Sequence, residues 1–170
     1  MTDVLAPATL MGAVTLDVAD LDAMTRYYTE GVLLEVLETA PGQVTVGRNG
    51  VPSLVLRRSA ALRHAPRSAA GLYHTAVLFD SRAALAAAVY AVATRFPRSF
   101  TGSSDHIVSQ AFYFDDPEGN GVELYFDRPR TQWQWDGATV RMGTLPLDPD
   151  AFLQQHLDEH ARLGLSLIHI

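Results

Sequence analysis

Three features of the sequence predict an α+β fold of two βαβββ modules paired around a shared cleft. The order strand, helix and three strands occurs twice. Helix-capping residues, Asp20 and Ser81, follow the first strand of each copy. Asn49-Gly50-Val51 and Asn120-Gly121-Val122 introduce the last strand of each copy. An internal repeat of this kind outranks local propensity as evidence of fold. The chain has 170 residues, 48% of them hydrophobic, which is enough to bury a core.

In the first module, residues 10–60, alternation over 13–18 marks a strand. Asp20 then caps a helix in which Leu21, Met24, Tyr27 and Tyr28 recur at helical spacing. Strands are expected at 33–37, 43–47 and 53–56, divided by the turn pairs Pro41-Gly42 and Asn49-Gly50. An Arg-, Ala- and Pro-rich connection leads to the second module, residues 71–130. Its strands are expected at 73–79, 99–101, 108–114 and 121–126, with an alanine-rich amphipathic helix over 82–95. Residues 131–164 read as a linker and a helix over 150–163 that leaves the paired modules for a second half of the protein. Its apolar stripe, Phe152, Leu153, Leu157 and Leu163, is expected to be exposed or covered by dimerisation.

Composition removes several classes of function. The net charge is -6, and every one of the 13 basic residues is an arginine scattered along the chain. No basic stripe is present to neutralise a phosphate backbone, so nucleic acid is not an expected partner. With no cysteine, a metal must be held by His, Asp or Glu. No run of ~18 apolar residues and no cationic, apolar N-terminal leader is found, and the expectation is a cytoplasmic protein without a membrane partner.

The chemistry concentrates between Gly71 and Tyr125. His74 lies in the first strand of the second module, and Glu123 in its last, on the face opposite Val122 and Leu124. A carboxylate on an inward strand face is costly unless it is paired or ligates a metal. The plainer readings are an exposed edge-strand glutamate and a core histidine bonded to backbone. More specific is the run from His106 to Glu123: a histidine, the Phe112-Tyr113 pair, the Asp116-Pro117 turn with Gly119, then the glutamate.

This run resembles the extradiol ring-cleavage dioxygenase signature of the vicinal oxygen chelate superfamily, which also includes glyoxalases and bleomycin resistance proteins. Ser104, two before His106, departs from the usual opening residue of that signature. The resemblance extends from Gly12 to about Trp133, and is best matched by catechol 2,3-dioxygenase-like proteins at Gly71–Ala76, Ser104-Asp105-His106 and Asp127-Arg128-Pro129-Arg130. It implies iron(II) held by two histidines and a carboxylate, with open positions for a catechol-like substrate and dioxygen. Carried onto this chain, His74 and Glu123 are the metal ligands, and His106 and Tyr113 handle the proton and the bound oxygen.

The second histidine ligand is missing. Aligning the first strands through Val18 and Phe79 puts Ala13 opposite His74, and aligning the last strands through their Asn-Gly turns puts Pro52 opposite Glu123. Either the site is completed from elsewhere, by a homo-oligomer or a second half, or this half has lost the metal. His156 and His160 stand one helical turn apart, either as a metal clamp or as a solvated face, and His64 is expected to be exposed. Leu165–Ile170 is abrupt and apolar; it resembles the peptide encoded by one frame of a transposon-type sequencing adapter, so it reads as a non-native tail in which His169 is no ligand. Beside the dioxygenase reading stand a glyoxalase-like lyase or isomerase, in which the metal polarises a carbonyl, and a metal-free small-molecule binder of the same fold.

Overall fold

The computed structural model describes residues 11–64, 66 and 71–158. The tail 165–170 with His169, together with His160 and Leu163, lies outside them.

Strand β1 (Val14–Val18) runs into helix α1 (Leu21–Arg26). Asp20 caps the helix as predicted, its Oδ1 accepting the Ala23 amide at 2.9 Å. The helix continues as a π turn over Tyr27–Gly31, and strands β2 (Glu35–Ala40), β3 (Gln43–Arg48) and β4 (Val51–Arg58) follow. The second module repeats the order: β5 (His74–Leu78), α2 (Arg82–Arg95) capped by Ser81, β6 (Phe100–Asp105), β7 (Ser109–Asp115) and β8 (Gly121–Asp127). The small strands β9 (Trp135–Asp136) and β10 (Thr139–Val140) form a hairpin, and β11 (Leu145–Pro146) and helix α3 (Pro149–His156) close the described chain.

The sheets have matching topologies, β1-β4-β3-β2 and β11-β6-β7-β8-β5. In each, the first strand of the module pairs in parallel with the last, and the other pairings are antiparallel. That parallel pair places residues from the beginning and end of a module side by side, which is why His74 and Glu123 become neighbours. The core lies under one face of both sheets. Met24, Tyr27, Tyr28, Leu54, Leu56, Phe112 and Leu124 are fully buried there. Gly31 lets the π turn approach α2 closely, since a Cβ at that position would come within 3.0 Å of the Phe96 ring.

Two expectations differ from what is observed. The helix expected over 150–163 runs over Pro149–His156, capped by Asp148. The described part of its apolar stripe is covered by the chain itself: Phe152 is only 3% exposed, its ring 4.8 Å from that of Phe112, and Leu153 and Leu157 pack against the same core. The segment before it also returns to the second module, because β11 pairs with β6. Among the described residues, no helix is long and apolar enough to cross a membrane.

The alignment of the last strands is corrected too. Ala76 pairs with Glu123 in the second sheet, and Thr15 with Val55 in the first. Thr15 and Ala76 are equivalent when the first strands are superimposed through Val18 and Phe79, so Val55 stands where Glu123 would, not Pro52. The Asn-Gly turns mislead because β4 starts further from the shared register than β8 does. Pro52 is exposed near the turn.

Candidate functional site

Strand alternation sorts the second sheet into two faces. Thr75, Val77, Val122 and Leu124 point into the core, whereas His74, Glu123 and Tyr113 are half-buried on the other face. Tyr113 and Glu123 sit directly opposite each other in the β7–β8 ladder. Gly121 makes the approach of β5 possible. A Cβ at that position would collide with the Tyr73 carbonyl oxygen and lie 3.0 Å from the His74 Cβ.

The predicted residues come together in one chain of contacts. His74 Nε2 lies 2.8 Å from Glu123 Oε2. Glu123 Oε1 is 3.2 Å from the Tyr113 hydroxyl, which is 2.8 Å from His106 Nε2. His106 Nδ1 lies 2.8 Å from the carbonyl oxygen of Gly143. Burial, with the Glu123 carboxylate adding to it, pushes the Tyr113 hydroxyl up to about 12, so Tyr113 keeps its proton at neutral pH. Next to this chain opens a cavity of about 410 Å³, lined among others by Tyr73, His74, Thr101 and Tyr113.

The hydrogen-bond roles follow from chemistry. A carbonyl oxygen only accepts, so His106 Nδ1 carries a proton. In the neutral ring Nε2 therefore accepts the Tyr113 O–H. Once Nε2 is also protonated it donates to the Tyr113 oxygen, and the Tyr113 O–H turns to Glu123. The cluster thus has two hydrogen-bonded states that differ by one proton at His106.

The Asp-Pro turn of the signature sets the start of β8. Asp116 Oδ1 accepts the amides of Glu118 and Asn120, both at 2.9 Å, and Gly119 adopts a φ of +82°, a conformation glycine takes without strain. Burial raises the Asp116 carboxyl above its ordinary range, although the Asn120 side chain works against it. Sequence reasoning missed the Gly143 carbonyl and the Arg128–Asp105 ion pair, which closes at 2.6 Å beside His106. Gly143 lies 37 residues from its partner, and although Asp105 and Arg128 fall in family-like segments, their separation of 23 residues hides that they meet.

An imidazole and a carboxylate are suitable donors for a divalent first-row metal, but a facial triad requires a third ligand. Among the described residues, no group of three His, Cys, Asp or Glu side chains could hold a metal ion. Ala13 and Val55 occupy the equivalent positions of the first module. The residues present therefore do not fit a complete three-ligand iron centre. The other histidines do not join them: His64 is half-exposed and lies 3.7 Å from Glu118, and the His156 ring lies tilted against Phe152, 4.7 Å between centroids.

No protein-family model matches the chain. A catechol-2,3-dioxygenase of Bacillus subtilis is 32% identical over 155 residues, covering 89% of this chain and 53% of that protein. The chain thus spans about half the length of the curated relative it matches. A glyoxylase/bleomycin resistance protein/dioxygenase domain from Frankia sp. EAN1pec superposes with a TM-score of 0.59 at 21% identity, over 72% of this chain and 94% of that one. A lactoylglutathione lyase from Agrobacterium tumefaciens gives 0.53 at 22% identity, over 71% and 96%. Repeated module and sheet topology give the chain the vicinal oxygen chelate fold, and its sequence is similar to that of a catechol-2,3-dioxygenase along about half of that protein's length.

Proposed function

We propose that the protein is of the extradiol ring-cleaving type and receives a catechol-like aromatic diol at the face formed by His74, Tyr113 and Glu123. The observation that carries this reading is the unbroken run of contacts from His74 through Glu123 and Tyr113 to His106. Its acceptors and donors suit two vicinal oxygens, and an imidazole is the side chain best matched to moving a proton near neutrality. A hydroxyl of the diol that reaches the Tyr113 oxygen gives up its proton toward His106 Nε2. The imidazolium then holds Tyr113 from one side, and the Tyr113 O–H is free to turn to Glu123 or to an oxygen that gathers charge. The exposed Tyr73 ring, centred 4.9 Å from that of His74, offers a flat surface to an aromatic ring at the mouth of the cavity.

The incomplete ligand set favours a second reading, a metal-free binder of small aromatic molecules on the same fold. One experiment separates them. The protein is loaded with iron(II) without air, freed of unbound metal, and exposed to catechol and oxygen while the yellow ring-cleavage product is followed. Product in proportion to bound iron supports the dioxygenase. Saturable catechol binding without retained iron or product supports the binder. Absence of catechol binding contradicts both.

A further inference from the structure

We infer that the Asp105–Arg128 ion pair is a positioning clamp for His106, acting through Ile107. This rests on the reading of His106 as the group that handles the proton.

The turn that carries His106 contains an unfavourable residue. Ile107 has a φ of +73°, in the left-handed region where a β-branched side chain is a conformational outlier. Such a residue persists only when its surroundings hold it there. Here both of its backbone polar groups are held by the same pair. Asp105 Oδ1 accepts the Ile107 amide at 2.8 Å, and Arg128 Nη1 donates to the Ile107 carbonyl at 2.7 Å. Arg128 grips Asp105 with two nitrogens, at 2.7 and 2.6 Å, the planar geometry that arginine alone supplies. The Arg128 backbone amide also donates to the Val108 carbonyl at 2.8 Å. Four bonds therefore tie the turn 105–108 to the end of β8.

The left-handed turn has a consequence for His106. It directs the Ile107 side chain against Gly143, where a Cβ would come within 3.2 Å of Ile107 Cδ1. Gly143 supplies the carbonyl that fixes the proton on His106 Nδ1. With that proton fixed, Nε2 is left to face Tyr113. Arg128 and Asp105 touch no part of the cavity; they act on the imidazole by holding the backbone beside it and the strand segment beyond it.

The test reads the His106 tautomer by nitrogen NMR of the whole chain above the imidazole titration range, so that catechol turnover is not needed. The wild type should show one dominant tautomer, protonated at Nδ1. In Arg128→Gln that preference should fall roughly tenfold, the scale on which loss of an orienting partner acts, and Arg128→Lys should restore only part of it. Ile107→Gly, which removes the side chain packed against Gly143, should lower the preference as Arg128→Gln does. Should Arg128→Gln fail to fold, Asp105→Asn makes the same comparison. An unchanged tautomer in a folded Arg128, Asp105 or Ile107 variant overturns the clamp. A tautomer response as described, in a protein that neither binds nor cleaves catechol, leaves the clamp standing and overturns the functional reading.

Discussion

Glu123 meets two partners with its two oxygens, His74 through Oε2 and Tyr113 through Oε1. Replacing it with Gln keeps the size and one acceptor but removes the charge. Divalent metal affinity should fall at least tenfold while folding stability changes by about 1 kcal/mol, checked by metal titration beside thermal unfolding. A stability loss far larger than the affinity loss would make Glu123 a structural residue. Ala13 tests the complementary point. Ala13→His should raise iron(II) affinity by supplying the missing imidazole, and an unchanged affinity would show that β1 and β5 do not meet the site symmetrically. At this scale the sequence was informative where chemistry limits the choices. Glu123 stood out as a carboxylate between the apolar strand residues Val122 and Leu124, and His106 because packing alone seldom spaces a His, a Tyr and an Asp-Pro turn in this way. Val55 could not be picked out, because its identity as the counterpart of Glu123 depends on the parallel β1–β4 register and not on any nearby turn.

Among the elements, β5 and β8 carry the site, and Gly121 governs their approach. Gly121→Ala should push His74 away from Glu123, seen as weakened metal binding together with a small loss of stability; full retention of binding would mean that the Tyr73 carbonyl yields easily. The turn between β6 and β7 should be sensitive to acid. The Arg128 guanidinium holds the Asp105 carboxyl below its ordinary value, so this pair adds stability above the unfolded carboxylate pKa of about 3.9 and loses it as pH falls through the lower folded value. Asp105→Asn should therefore lower stability at neutral pH and lessen the fall below about pH 4, as followed by urea unfolding across pH. An identical pH profile would contradict the assignment. Buried Asp116 acts in the opposite sense, because its raised pKa favours the protonated form in the folded chain.

The caps Asp20 and Ser81 and the 14-residue span of α2 were legible because they are local, with bonds to residues three positions on. Strand β11 was not, since two residues carry no periodicity and gain their place only by pairing with β6.

For the molecule as a whole, two modules cover each other's core and the segment after them folds back onto the second. Phe152 tests that return. Truncation to Ala should cost about 3–5 kcal/mol, as for other buried aromatic residues, and a change under 1 kcal/mol would show that α3 is only loosely attached. The repeat was readable from the sequence because each module contains its own turns and helix cap. The destination of α3 was not, because an amphipathic stripe says that a partner exists without naming it.

That His74, Glu123, Tyr113 and His106 together receive a vicinal diol is tested most directly by NMR titration of the anaerobic protein with catechol, following the His74, His106 and Tyr113 side chains in the wild type and in Tyr113→Phe. Saturable shifts are expected at all three in the wild type, with an affinity at least tenfold weaker in Tyr113→Phe while the fold stays intact. Saturable catechol binding that leaves these three side chains unperturbed, or that is unchanged in Tyr113→Phe, would contradict it.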